Sequence, residues 1–414
     1  VTTASIPPAC LWISRELPYP VDAGDRNYAN GLATALAGTG MEVHFLGHDL
    51  SNGAPAPAID RVTWHPITGG RAGRIPSLVS PLPLVASVQA TPAFRRQLTS
   101  LLASRPWNAI LLDQLGSSWA LPMCLAHAAR SSAPPVLVHI SHNRETAVWD
   151  AMWRQSRAGP VRRLVLYQNY MKTRALETRT LALCDLVTTI TSVDDALQRE
   201  AHPGLATLLL PPGYGGSEVV RRTITEATPR RVVIVGSFRW VAKQENLQQF
   251  LLLADPAFAR AGIALDIVGD VPEPLASELR ARCRATTLHG FVDDVAPLLS
   301  EARLGVVPEI IGGGFKLKFL DYLFGRVPVA TIRSAAAGLS ADVTSRMVLA
   351  DTLDVLVDRI VATIDDVPTL NAMHEGAFRA AQHDYRWPAR GRALRDAIDR
   401  IHAAGRARRT TCSA

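Results

Sequence analysis

The chain has 414 residues, 48% hydrophobic and 20% charged, which suits a soluble globular protein and exceeds one typical core, so two domains are expected. A net charge of +7 favours anionic partners (nucleotides, nucleic acid, anionic lipid headgroups), and nucleic acid is set aside because no RNP, zinc-finger or bZIP signature is present. Five scattered cysteines (Cys10, Cys124, Cys184, Cys283, Cys412) form no CxxC; they exclude a disulfide framework or zinc site and fit a reducing cytoplasm.

The opening residues VTTASIPPACLWIS lack a charged region before the apolar run and read as a first strand, not a signal peptide. Strands are then expected at Ala9–Ser14, Glu42–Gly47, Ala109–Asp113, Val136–Ile140 and Leu186–Ile190. Helices are expected at Asp25–Ala37, Pro92–Ala103, Ser117–Arg130, Val161–Leu183 and Val193–Glu200. That β-α-β alternation predicts an α/β fold with a parallel sheet covered on both faces. Residues 75–94 carry no charge and lie between Arg71, Arg74, Arg95 and Arg96. Four prolines rule out a spanning helix there. The segment either packs on its own domain or makes a peripheral membrane contact, dipping into headgroups or meeting a lipid-linked acceptor. Basic residues concentrate at Arg154–Arg179 and Arg406–Arg409.

Residues 211–230, PPGYGGSEVVRRTITEATPR, break the alternation and form the expected interdomain linker. The pattern then restarts with strands at Arg231–Val235, Ala264–Val268, Thr286–Leu288, Gly305–Val307 and Val327–Thr331, interleaved with helices at Asn246–Ala254, Pro274–Arg282 and Val295–Glu301. Three helices, Leu353–Ile364, Leu370–Asp384 and Ala389–Ala403, complete the chain. The expected domains are 1–212 and 213–385, with a helix over 386–403 crossing back to the first and a basic tail over 404–414. Two doubly wound sheets place their carboxyl strand ends face to face, so a cleft between the domains is the expected site.

The segment GVVPEIIGGGFKLKFLDYLFGRVPVAT (305–331) bears most directly on function. It reads as a buried strand, a three-glycine loop, a helix and another strand. Glycines allow close backbone approach to a ligand, and helix N-termini favour phosphate. Lys316 and Lys318 are expected in the first helical turn, where they oppose the helix dipole until an anion is bound. Asp321 is placed to accept ribose hydroxyls. The other reading is an ordinary strand–loop–helix with a solvated basic turn.

Several blocks, in one consistent order, resemble GT-B glycosyltransferases, particularly glycosyltransferase family 4. They are RELPYPVDAGDRNYANGLATALAGTGMEVHFLG near the N-terminus, HISHNRETAVW (139–149), CDLVTTITSVDDALQ (184–198), LPPGYGG (210–216), VGSFRWVAKQENLQQFL (235–251), and LDIVGD followed by LHGFVDDVAPLLSEARLGVVPE. The resemblance covers most of Cys10 to Leu339. It implies two Rossmann-like domains in GT-B architecture and a retaining, metal-independent, hexosyltransferase-type enzyme. The donor implied is a UDP- or GDP-linked sugar, used without a cofactor. The acceptor is a glycan, a lipid-linked intermediate or a small natural product, and the location is cytoplasmic, with membrane association as an extension.

Residue by residue, the resemblance implies a donor site of Gly24, Arg239, Lys243, Val292, Gly313, Gly314, Phe315, Lys316, Lys318 and Asp321. Val292 follows HGF, where the family's backbone meets the nucleobase; Gly24 is either a donor-side glycine or a turn residue before an Asp25 N-cap. His142 is expected at the reacting hexose, and Glu145 either orients it or caps the next helix. The family's two glutamates, eight positions apart, fall on Gly313 and Asp321 here. Glu309 is therefore the candidate replacement for the missing acid. The pair Asp293–Asp294 reads as an N-cap and not as a metal-binding carboxylate pair. Three alternatives remain at this level: a sugar-nucleotide epimerase, a catalytically impaired sugar-nucleotide-binding protein, and a dinucleotide-dependent oxidoreductase. The last is disfavoured because AGDRNYANG offers no GxGxxG.

Overall fold

A computed structural model describes residues 7–21, 23–51, 55–69, 71–73, 75–155, 159–311 and 314–412. The chain divides into two compact units. Unit 1 comprises Val1–Gly213 with Trp387–Ala414, and unit 2 comprises Tyr214–Arg386.

Unit 1 carries seven parallel strands: β1 (Ala9–Glu16), β2 (Glu42–His48), β3 (Val62–Ile67), β4 (Ala109–Asp113), β5 (Val136–Ile140), β6 (Leu186–Thr189) and β7 (Thr207–Leu209). Their order is β3-β2-β1-β4-β5-β6-β7. The central strands β4 (AILLD) and β5 (VLVHI) are buried at every position, as largely apolar strands are when helices cover both faces of a parallel sheet. In register, Trp12 lies between Phe45 and Leu111 and stacks on Phe45 with ring centroids 5.3 Å apart. The helix Gly24–Ala37 receives the C-terminal helix Trp387–Cys412. A Cβ on Gly31 would lie 2.2 Å from the Trp387 ring, so that crossing depends on a residue without a side chain.

Unit 2 carries six parallel strands: β8 (Arg231–Val235), β9 (Ala264–Val268), β10 (Thr286–Gly290), β11 (Leu304–Val307), β12 (Val329–Ile332) and β13 (Val348–Ala350). Their order is β10-β9-β8-β11-β12-β13. The helix Lys318–Phe324 buries Phe319, Leu320, Tyr322, Leu323 and Phe324. Tyr322 lies flat against β11, where a Cβ on Gly305 would come within 2.9 Å of its ring. Its hydroxyl accepts from the Val235 N–H of β8 at 2.9 Å. Gly305 thus seats this helix across β11 and β8.

Several element boundaries differ from expectation. β1 runs two residues further, to Glu16, and the short or half-exposed strands β3, β7 and β13 were not expected. The single helix expected at Ser117–Arg130 is a turn at Gln114–Ser117, a 3-10 turn at Ser118–Ala120 and a helix at Leu121–Arg130. The helix expected at Asn246–Ala254 spans Val241–Ala261, with Pro256 inside it. The C-terminal helix continues to Cys412, through the segment read as a basic tail. No helix among the described residues is long and apolar enough to cross a membrane.

Candidate functional site

In an open parallel sheet, ligands bind beyond the carboxyl ends of the strands where the order reverses. In unit 2 that point lies between β8 and β11. β11 runs into Pro308 and Glu309, and β8 into Gly236. Asn246, 2% exposed on the helix Val241–Ala261, fixes the loop after β11. Its Oδ1 accepts from the N–H groups of Ile310 and Ile311, each at 3.0 Å, and its Nδ2 donates to the Ile311 carbonyl at 2.8 Å.

Lysines gather around Glu309. Lys318 Nζ donates to Glu309 Oε1 at 2.6 Å, both side chains being about nine-tenths buried. That ammonium lies 3.0 Å from where a Cβ on Gly236 would sit, so the glycine leaves room for it. Lys316 reaches the Gly314 carbonyl at 3.4 Å, and Gly314 itself has a left-handed φ of 71°. Burial pushes the Glu309 carboxyl up, but Lys318, then Lys316 and Lys243, outweigh it and hold the group below its usual range. Burial lowers both Lys316 and Lys318 against the opposing pull of Glu309, with like-charged lysines adding to the fall. Three ammonium groups therefore act on one buried carboxylate. Asp321, deeper in the helix, is pushed up to about 6 by burial, with Lys318 opposing.

This geometry corrects the expectations for the segment. Lys316 precedes the helix, which begins at Lys318 after Leu317 and has only seven residues, so the two lysines do not share its first turn. The dipole conflict foreseen for Lys318 is answered internally by Glu309. Glu309 in turn is committed to Lys318 instead of standing open as a replacement acid. Phe315 packs its ring against Tyr385 at 5.7 Å, and Val292 packs partly buried on the unit's core. Both side chains are half-buried. Arg239 is exposed and paired with Asp270 at 2.6 Å. Gly312 and Gly313 lie outside the described residues. Asp294 does accept from the Ala296 N–H at 2.9 Å at the start of the helix Ala296–Glu301, although Val295 occupies the cap position.

In unit 1 the strand order reverses between β1 and β4. β4 ends in Asp113, which is fully buried. Its Oδ1 pairs with His142 Nε2 at 2.9 Å, while its Oδ2 has no hydrogen-bond partner among the described residues. His142, in the loop after β5, also meets the Tyr28 ring edge-on at 4.8 Å. Tyr28 donates its hydroxyl to the Leu210 carbonyl at 2.9 Å. Gln114, next to Asp113, has a φ of 60°, a left-handed conformation unusual for a side chain of its size. Glu145 does not cap its helix. Glu177 does, accepting from the N–H groups of Glu145 and Thr146 at 2.8 and 3.0 Å. Burial and the neighbouring Glu177 push the Glu145 carboxyl up. Gly24 is the first residue of its helix, with Ala23 at the cap position, so Asp25 is not the N-cap. Asp25 instead pairs with Arg15. Among the described residues no group of three His, Cys, Asp or Glu side chains is placed to hold a metal ion.

Sequence reading missed Asn246, Gly236, Tyr322, Asp113 and Glu177. Asp113 alone had a visible signal, a carboxylate closing an otherwise apolar strand. The others matter through contacts distant in the chain, as the Val235–Tyr322 and Glu145–Glu177 bonds, 87 and 32 residues apart, illustrate.

Residues 229–366 match the family model for glycosyl transferases group 1. Comparison with curated proteins returns no match. Among solved structures, the chain is similar to a sucrose-phosphate synthase from Thermosynechococcus elongatus (TM-score 0.70, 18% identity, covering 96% of this chain and 100% of that one). It is also similar to HepE from Anabaena in complex with UDP and glucose (TM-score 0.62, 12% identity, 94% and 99%). A third is the trehalose 6-phosphate synthase of Burkholderia multivorans (TM-score 0.64, 12% identity, 98% of each). The fold, two parallel-sheet α/β units, is the GT-B architecture.

Proposed function

We propose that the chain is a glycosyltransferase of hexosyl type, with unit 2 binding a nucleotide-diphosphate sugar and unit 1 binding the acceptor. The observation that carries this reading is the gathering of Lys243, Lys316 and Lys318 on the single carboxylate of Glu309 at the point where unit 2's strand order reverses. Lys318 is held by Glu309, and the three ammonium groups exceed the charge of that one carboxylate, which suits an anionic diphosphate. Breaking the bond from the sugar's anomeric carbon to the phosphate oxygen builds negative charge on that leaving group. Fixed ammonium groups in a water-poor site stabilise it without reorganising, which is the role a metal would otherwise fill. The match of residues 229–366 to glycosyl transferases group 1 and the UDP and glucose bound by HepE support the same assignment and make UDP the first nucleotide to test, ahead of GDP.

In this reading the anomeric configuration is retained. The acceptor oxygen bonds to the anomeric carbon from the face the diphosphate leaves, and its proton passes to the departing phosphate oxygen. The protein then contributes position and charge. His142 contacts the reacting sugar, oriented by Asp113, and Asp321 receives the ribose hydroxyls. Gly24, Arg239, Val292, Gly313, Gly314 and Phe315 complete the donor contacts. The acceptor is a hydroxyl-bearing glycan, lipid-linked intermediate or small molecule, and no cofactor takes part.

The test is a thermal-shift panel of UDP, GDP, dTDP and their sugars. A turnover assay follows with the sugar that stabilises the chain most, read both as nucleotide released and as glycosylated product. Stabilisation by one nucleotide family and product formed in step with release is the expected result. Release with no product on any acceptor would replace transfer by epimerisation or hydrolysis, and stabilisation by none would remove the donor site.

A further inference from the structure

The chain's net charge is unevenly spread: residues 154–179 contain seven basic residues and one acid, accounting for six of the net seven positive charges. Most of that segment is the helix Pro160–Leu183, and its single acid, Glu177, is buried as the cap of the neighbouring helix Glu145–Gln155. The outer face of the long helix is not simply polar. Val161 is 76% exposed and Leu164 67%, with Val165 also exposed. Positions 161, 164, 165 and 168 fall on one stripe. Arg162 and Arg163, both exposed, flank it.

The stripe is extended by a second element. Gln168 donates to the Leu78 carbonyl at 3.0 Å, and Lys172 donates to the carbonyls of Ser77 and Leu78 at 2.9 and 3.0 Å. These bonds fasten the 3-10 turn Ile75–Leu78 onto the helix one turn beyond Leu164. They leave Leu78 exposed and Val79 90% exposed. The uncharged 75–94 segment is thus tied to unit 1 at its start, with an aliphatic tip directed outwards beside a basic helix.

We infer that this surface, formed by Leu78, Val79, Val161, Leu164 and Val165 among the arginines of the 160–183 helix, docks on an anionic lipid bilayer. Aliphatic side chains gain by entering the headgroup–acyl boundary, and guanidinium groups beside them gain by meeting lipid phosphates. Neither contribution alone accounts for exposed valines and leucine interleaved with arginines. The charge complementarity selects a negatively charged membrane over a neutral one. The contact is peripheral and concerns unit 1 alone, so it does not depend on the donor chemistry of unit 2.

Co-sedimentation of the full chain with vesicles tests this, comparing phosphatidylcholine containing phosphatidylglycerol with phosphatidylcholine alone. Binding only to the anionic vesicles is expected. It should fall at least about tenfold in the double variant Val161→Asp/Leu164→Asp, and measurably in Val79→Asp. Val79 lies in a loop, so its variant guards against a folding defect in the helix, and the melting temperature of each variant is checked alongside. Arg162→Glu/Arg163→Glu should also lose binding. The inference is overturned by equal binding to neutral vesicles or by no binding to either. It is also overturned if folded aspartate variants bind unchanged, which would mean adsorption by charge alone. Finally, if the aspartates alter self-association while leaving vesicle binding intact, the face belongs to a second copy of the chain.

Discussion

Glu309 and Lys318 form a buried ion pair, and the behaviour of such pairs sets the first expectation. Removing Lys318 as Lys318→Ala leaves Glu309 charged and without its closest partner, which costs on the order of 3–5 kcal/mol of stability. The double variant Lys318→Met/Glu309→Gln should recover most of that loss, as urea denaturation of the native chain, the single variants Lys318→Met and Glu309→Gln, and the double variant would show. A simply additive result would mean that the two side chains do not interact as the 2.6 Å contact indicates. Asp321 gives a pH-dependent expectation. Its carboxyl lies near 6 in the folded chain against an ordinary value of 3.8, so between those values the folded state holds a proton that the unfolded state has released. Stability contributed by this group therefore declines as pH rises from 3.8 to about 6. Asp321→Asn should be more stable than the parent at pH 8, with the difference shrinking through pH 6 and disappearing below 3.8. A constant difference across that range would assign the effect to packing. At His142, His142→Ala should lower turnover far more than donor affinity, and Asp113→Asn should follow the same pattern more weakly because it misorients the ring without removing it. Equal loss of donor binding and turnover in both variants would make the pair structural.

Elements carry the site as much as side chains do. The helix Lys318–Phe324 is placed by Tyr322 lying over Gly305 and bonding to β8. Gly305→Ala puts a methyl 2.9 Å from that ring, an overpacking that costs about 1–3 kcal/mol and should shift the lysine helix enough to weaken nucleotide binding as well. Calorimetric melting and a UDP titration of the same variant check both effects; a stable variant with unchanged binding would show that the helix tolerates displacement. The central strands were legible because β4, β5, β8 and β11 are apolar apart from Asp113, His139 and Arg231. β3 was not, since it is a half-exposed edge strand containing Pro66, and β7 and β13 have three residues each, too few to show a period. The long helix of unit 2 looked short because its N-terminal turns are polar and Pro256 interrupts its pattern near the end.

At the scale of the whole molecule, alternation of strands and helices declared two parallel sheets, and the order of motifs declared the GT-B architecture. The lysines of the 305–331 segment were visible in the same way. Their relation to Glu309 was not: residues nine positions apart meet only because β11 ends beside the start of the lysine helix, a fact of tertiary packing. Asn246 and Gly236, which shape the same site, lie more than 60 residues before the loop they support. Local pattern thus named the charges, whereas the fold decided which of them are already paired. Lys318 is tied directly to Glu309, so removing it also breaks a buried ion pair, and Lys316, before the helix and within the same cluster, gives the more direct test.

That test is a calorimetric titration of UDP into the native chain and into Lys316→Ala. Loss of a charged hydrogen bond of about 1.5–3 kcal/mol predicts saturable binding to the native chain and an affinity at least about tenfold weaker in the variant, with the melting temperature of both proteins measured alongside. Equal affinity in the two proteins, or no binding of UDP, GDP or dTDP by the native chain, would contradict the claim that the lysines around Glu309 hold a nucleoside diphosphate.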